Sequence, residues 1–283
     1  MAFEGYSCIS VEVSDGVARA TLDHPPINLF DVTLMGEVDR LGREIEADDS
    51  VRVVVFQSAN PDFFIAHADV ELIQRLPSDV PEKSTELNFF HAMVERFRQM
   101  PKVSIGKIEG CARGGGSEFL LSLDMRFGTI GRCVVSQPEV ALGILPGGSG
   151  TQRLPGLMGR GRALEVVLGC EDFDAETAER YGWINRAFPE GEVGPFVDAL
   201  ARRIATFPPQ AIALAKRAVE AAEGPTREGL LEEAWCFQQT LGLEETKSRL
   251  AQFLKHGGQT REVELELAGI LDGLGRSESE SGK

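Results

Sequence analysis

Cys111-Ala112-Arg113-Gly114-Gly115-Gly116-Ser117-Glu118 is the stretch on which the reading of this chain turns. It follows an apolar run at 103–109 and precedes helical spacing over 118–123, so it reads as a strand-to-helix turn. Three consecutive glycines allow positive φ and let a ligand approach the main chain closely. The first N–H groups of the following helix lack internal partners and sit at the positive end of its dipole, which suits a phosphate or an oxyanion equally. Spacing rules out three better-known glycine motifs. No G-x-G-x-x-G occurs here, Gly143–Gly148 has the Walker spacing but is followed by Ser149 where lysine is needed, and neither Ser117 nor Ser149 lies in a G-x-S-x-G elbow. Glu118 stands three residues after Gly115, on the same helix face. It is either a first-turn acid complementing the dipole or a proton carrier beside a polarised carbonyl.

Outward from this turn, short β-rich runs alternate with helical patterns. Residues 7–13 and 17–22 read as a hairpin turning at Ser14-Asp15-Gly16. Residues 33–47 have helical periodicity, and 51–57 (VRVVVFQ) form a continuous apolar run typical of a strand covered on both faces. Further strands are predicted over 125–130 and 134–136, which together imply an α/β fold with a largely parallel sheet. Beyond Thr151 the pattern is helical over 162–168, 175–181, 193–205, 209–222 and 226–241, with 183–188 as the one extended stretch. Loops 60–69 and 110–117 follow the strands ending near Gln57 and Glu109, where ligands bind in open α/β sheets.

A second acid, in Ser136-Gln137-Pro138-Glu139, follows a short strand and precedes the glycine-rich loop 145–151 (LPGGSGT). Proline fixes the backbone before Glu139 and so gives the acid a defined direction. Taken alone, an acid in such a turn is usually solvated. Glu118 and Glu139, however, flank one helix-then-strand unit that can return the chain to the same sheet edge. Two carboxylates converging on one water in an apolar pocket would have their pKa values pushed apart, one acting as base and the other as acid.

With these segments in hand, the chain resembles the enoyl-CoA hydratase/isomerase (crotonase) superfamily. His24-Pro25-Pro26-Ile27-Asn28 resembles the family's H-P-x-x-N turn, and Ala66-His67-Ala68-Asp69 its A-G-A-D segment. Residues 112–118 resemble A-x-G-G-G-x-E, residues 137–139 resemble Q-P-E, and 146–154 (PGGSGTQRL) resemble P-G-x-G-G-T-Q-R-L. The resemblance implies a ββα-repeat spiral core with a helical C-terminal region, a homotrimer or a hexamer built as a dimer of trimers, and an acyl-CoA thioester substrate. By position it makes the Ala68 and Gly115 N–H groups the oxyanion donors and Glu118 and Glu139 the acid and base. It also places Asn28, Ala66, His67, Asp69, Val70, Gly114, Pro138 and Gly147 around the substrate. The implied reaction is syn addition of water to a 2-enoyl-CoA through an enolate, with no metal or redox cofactor beyond the CoA of the substrate. Isomerisation, thioester hydrolysis or decarboxylation of another acyl-CoA is the main alternative, and a non-catalytic CoA- or RNA-binding scaffold the lesser one. Asp69 has a competing structural role as the N-cap of residues 70–76.

Three positions depart from that pattern. His67 replaces the glycine before the oxyanion alanine; it is either a tolerated surface or packing change or an imidazole that crowds the thioester or acyl entrance or adds a donor or proton carrier there. Arg113 stands where a neutral residue is usual, in a solvated or interface role, or meeting a CoA phosphate or substrate carboxylate. After residues 253–255 the chain breaks at Gly257-Gly258 and resumes with amphipathic spacing over 260–274, expected to be an extra helix packed on a neighbouring subunit. The expected organisation is a core over 1–190, a helical oligomerisation region over 191–258, the extra helix over 259–275, and a disordered tail over 276–283.

Bulk properties bound the function classes. The chain has 283 residues, 42% hydrophobic and 26% charged, enough for a large globular core. A net charge of −15 and a pI near 4.8 argue against a nucleic-acid or anionic-membrane binder, which needs a basic footprint. No apolar run reaches a membrane span, and the N-terminus lacks a basic segment followed by an apolar one, so no signal peptide is expected. Five cysteines with no C-x-x-C pair fit reduced thiols in a cytoplasmic protein, and His24, His91 and His256 show no metal spacing.

Overall fold

The computed structural model describes residues 3–79, 82–222 and 226–274, so the expected tail at 276–283 lies outside the described residues. The chain begins with β1 (Ile9–Ser14), β2 (Val17–Leu22), α1 (Val32–Ala47), β3 (Val53–Ser58), β4 (Phe63–Ile65) and α2 (Val70–Gln74). It continues through α3 (Phe89–Gln99), β5 (Val103–Ile108), β6 (Cys111–Arg113), α4 (Gly115–Leu121), β7 (Met125–Thr129) and β8 (Val134–Ser136). A 3-10 turn at Glu139–Leu142 leads to α5 (Gly150–Met158), α6 (Arg160–Gly169), β9 (Phe173–Asp174), α7 (Ala175–Tyr181) and β10 (Arg186–Phe188). The remainder is helical: α8 (Val193–Ala205), α9 (Pro209–Glu220), α10 (Thr226–Leu241), α11 (Glu244–Lys255), α12 (Arg261–Leu265) and α13 (Leu267–Gly273).

The strands sort into two sheets by a repeated rule. The first sheet has six strands in the order β1-β2-β3-β5-β7-β10 and the second four in the order β4-β6-β8-β9; β3, β5 and β7 of the first are each followed by a short strand of the second, β4, β6 and β8. Pairing is parallel except in the β1/β2 hairpin and at β8/β9. This is the ββα repeat that the motifs imply. The two short strands β4 and β6 fall inside stretches read from the sequence as loops, whereas β8, equally short, is found where a strand is expected.

Side-chain alternation explains why the large sheet is covered on both sides. Val54 and Phe56 of β3 enter the core under α1 and α3, while Val53 and Val55 point to the opposite face, packed by Val193, Val197 and Ala201 of α8. Phe56, Phe97 of α3 and Phe119 of α4 meet edge to face at centroid distances of 5.0 to 5.7 Å. Such contacts favour one mutual orientation and so lock α4 onto the sheet.

One expectation needs correction. The amphipathic stretch after Gly258 is not one helix: it breaks at Glu266 into α12 and α13. Its Leu267, Leu271 and Leu274 pack within their own chain against Val70, Leu142, Ile144 and Phe253. All five cysteines are free thiols. Among the described residues no helix is long and apolar enough to cross a membrane, and no cluster of potential metal ligands occurs.

Candidate active site

Three loops leave the same end of the second sheet because β4, β6 and β8 run parallel in adjacent register. After β4 comes Ala66-His67-Ala68-Asp69, after β6 comes Gly114-Gly115, and after β8 comes Gln137-Pro138-Glu139. Main-chain bonds stitch them together: Arg113 N–H donates to the Ala66 carbonyl at 3.1 Å and Gly114 N–H to the Ser136 carbonyl at 3.0 Å.

The loop after β4 is braced from its far side as well. Phe30 N–H donates to the His67 carbonyl and Asp69 N–H to the Phe30 carbonyl, at 2.9 and 3.2 Å. Among the described residues the Ala68 and Gly115 N–H groups are left without a protein acceptor. They lie side by side, since a Cβ added to Gly115 would sit 3.0 Å from the Ala68 Cβ and 3.4 Å from its nitrogen. Only glycine permits that approach, and the result is two adjacent unspent donors opening on one cavity.

Both acids reach that cavity. Glu118 is 4% exposed and its Oε1 accepts the N–H groups of Gly148 and Gly150 at 2.7 and 2.8 Å. Glu139 is 8% exposed on the 3-10 turn, and the Gln137 amide nitrogen, oriented towards it, donates to both carboxyl oxygens at 3.2 and 3.1 Å. Gly114, at φ +47°, leaves the space Glu139 uses, for an added Cβ would lie 2.7 Å from its Oε1. Burial, then repulsion by Glu139 and Glu233, holds the Glu118 carboxyl well above the usual carboxylate range, against the pull of its two N–H donors. Burial pushes Glu139 up to about 8, with His67 opposing and Glu233 reinforcing the rise.

The cavity encloses about 520 Å³, within the usual range for a small-molecule site. Ala68, Gly115, Glu118 and Glu139 line it together with an apolar wall that includes Leu72, Ile73, Phe90, Trp235 and Phe237. Gly147 and Asp69 also reach it. Asp69 caps α2 as well, accepting the Glu71 N–H at 2.9 Å. Val70, Gly114 and Pro138 instead border a smaller void of about 30 Å³ behind Glu139.

Asn28 and Ala66 border neither space. Asn28 is fully buried, accepting the His24 N–H and donating to Ser58 Oγ and to the Phe63 and Phe64 carbonyls, so its amide holds the framework under β4. Ala66 acts through its backbone in the same framework. His67 lies behind the loop and borders only the smaller void. Arg113 is neither solvated nor open to a phosphate: it is 2% exposed, with Nε and Nη2 on the two oxygens of Asp172 at 2.8 and 2.7 Å.

One buried acid was not picked out by sequence reasoning. Glu233 of α10 is 2% exposed and accepts the Ser149 and Thr151 N–H groups at 2.6 and 2.9 Å, the Thr151 hydroxyl, and the ring of His91 at 3.1 Å. It therefore caps the start of α5, beside the Gly148 and Gly150 N–H groups that hold Glu118. Glu233→Gln would turn amide hydrogens towards these donors, and a buried donor left unmatched costs about 1–3 kcal/mol. We expect kcat to fall with KM nearly unchanged, as measured by steady-state kinetics; an unaltered kcat would separate this cap from the placement of Glu118.

A family model for enoyl-CoA hydratase/isomerase matches residues 12–259. A mitochondrial protein of Arabidopsis thaliana, named as a candidate enoyl-CoA hydratase 2, is 32% identical over 241 residues, 84% of this chain and 79% of its own length. The short-chain-enoyl-CoA hydratase of Clostridium acetobutylicum is 28% identical over 249 residues, 87% of this chain and 94% of its own. A solved structure of a candidate enoyl-CoA hydratase from Streptomyces avermitilis aligns at a TM-score of 0.86 and 42% identity, covering 95% of this chain and 98% of that one.

Proposed function

The chain belongs to the enoyl-CoA hydratase/isomerase family, and we propose that it is an enoyl-CoA hydratase adding water to a 2-enoyl-CoA thioester. The observation that carries this reading is the meeting of two unspent backbone donors and two buried carboxyls in one apolar cavity. The thioester carbonyl accepts from the Ala68 and Gly115 N–H groups, which draws electrons from the double bond and leaves Cβ open to attack. As water adds, the negative charge passes to the enolate oxygen, where each donor contributes on the order of 3 kcal/mol.

The acids divide the proton work. With a proton on Glu139, its repulsion of Glu118 disappears; burial and Glu233 still favour the neutral acid, while the two N–H bonds on Oε1 favour the carboxylate and leave Glu118 the stronger base of the pair to call on. Glu118 then takes a proton from the water as its oxygen attacks Cβ, and Glu139 delivers one to Cα on the same side. The reaction needs only proton transfer and oxyanion stabilisation, with no metal or redox cofactor. Assembly as a trimer or a pair of trimers belongs to the same proposal.

Incubation with crotonyl-CoA tests it. The conjugated thioester absorbance is expected to decline, at a rate that a chelator leaves unchanged. No decline across several acyl lengths, together with a rise of that absorbance from a 3-enoyl-CoA, would make the enzyme an isomerase instead.

A further inference from the structure

The family match ends at Gln259, yet the chain folds on through α12 and α13. The two departures noted in the sequence, His67 and the C-terminal extension, turn out to be partners 197 positions apart. His67 Nε2 lies 3.0 Å from Glu264 Oε1, and its Nδ1 lies 2.8 Å from the Ala68 carbonyl oxygen. A carboxylate and a carbonyl both accept, so the ring satisfies both contacts only when each nitrogen carries hydrogen, as in an imidazolium. Burial disfavours that charge, but the charge and hydrogen bond of Glu264 outweigh it and raise the His67 pKa. Glu264 is wholly buried and its Oε2 has no partner among the described residues, so its charge rests on His67 and the Gln259 N–H at 2.7 Å.

The same segment grips the other side of Ala68. The Gln259 side-chain oxygen accepts the Val70 N–H, and its nitrogen donates to Asp69 Oδ1 at 3.2 Å. Arg113 closes the assembly by donating from Nη1 to the Glu264 carbonyl at 2.9 Å. The charged groups facing His67 are thus Glu264 from α12, Arg113 from β6 and Glu139 from the 3-10 turn. Phe253 of α11 meets the ring edge to face at 5.9 Å.

We propose that residues 259–274 are an active-site element, and that His67 and Glu264 are positioning residues which aim the Ala68 N–H and set a buried cation behind Glu139. The proposal rests on the hydratase reading for its kinetic consequences. Without the cation Glu139 holds its proton more tightly, and without the clamp the oxyanion donor drifts.

Glu264→Gln and His67→Gln are the test, both close in volume to the residues they replace. Each is expected to lower kcat by about 10-fold to 100-fold with little change in KM. Each is also expected to move the pH–rate profile to higher pH by about one unit, as loss of one neighbouring charge does. A purely structural role would lower activity without moving the profile, and an unmoved profile overturns the proposal. Imidazole 15N spectra of the whole protein supply a readout independent of turnover. At neutral pH His67 is expected as the doubly protonated ring in the wild type and as a neutral ring in Glu264→Gln. A neutral ring in the wild type also overturns the proposal. If the wild type hydrates no enoyl-CoA, the hydratase reading fails, while these spectra still decide the ion pair.

Discussion

Glu118→Gln and Glu139→Gln are each expected to lower the hydration rate by about 10²- to 10⁴-fold, the usual worth of a positioned acid or base. An amide can hold the water but cannot exchange protons with it, so KM is expected to stay near the wild-type value. Loss from only one of the two variants would mean that a single carboxyl carries both transfers, which is the pattern of an isomerase rather than of a hydratase.

The same variants have a second signature. Glu139 titrates at about 8 in the folded chain against an ordinary 4.5, so between these values the native state binds more protons than the unfolded one. A carboxyl raised in this way is least costly below the unfolded value, and stability is lost as pH climbs towards about 8. Glu139→Gln removes that loss. Its thermal midpoint is expected to exceed that of the wild type at mildly alkaline pH, with the gap closing as pH falls towards 4.5. Thermal unfolding monitored by circular dichroism across that window reads the sign directly, and a gap that widens towards acid would contradict the assignment.

Gly116→Ala carries the largest expected effect on the fold. Helix propensity alone favours alanine by ~1 kcal/mol. The geometry opposes it: an added Cβ would lie 2.4 Å from the Ile65 carbonyl oxygen and 2.8 Å from the Ile65 Cβ. A backbone atom cannot swing aside, and overpacking of this kind costs on the order of 1–3 kcal/mol, so the clash prevails. Separating α4 from β4 also widens the gap between Gly115 and Ala68. The thermal midpoint and kcat are therefore expected to fall together. A variant more stable than the wild type would show that propensity wins at this position.

What could be read from the sequence was local. The glycine turn 114–116, the acid three residues beyond Gly115 and the cap at Asp69 all lie within one helical turn of the features that give them meaning. The short strands β4 and β6 escaped because each lies inside a stretch whose turn residues read as a loop, although their parallel pairing is what brings the loops together. Glu233 and His91, 142 positions apart, carry no common pattern, and neither do His67 and Glu264. The first pair exists only because α3 meets α10, the second because α12 meets the loop after β4. The place of Asn28 in a motif implies substrate contact, whereas the bonds that can be seen are those of its amide to the framework, which no local pattern announces.

Helix α10 does two things at once. Its Trp235 and Phe237 form part of the wall against which an acyl chain would lie, while Glu233 two residues earlier anchors the start of α5. Any redesign that rotates or slides α10 to admit a bulkier substrate will drag the seat of Glu118 with it. Chain-length preference on that side cannot be retuned without disturbing chemistry. Leu72 and Leu76 line the same cavity, and among the described residues no hydrogen bond ties their segment to either glutamate, so new substrate preferences can be grafted there at less cost.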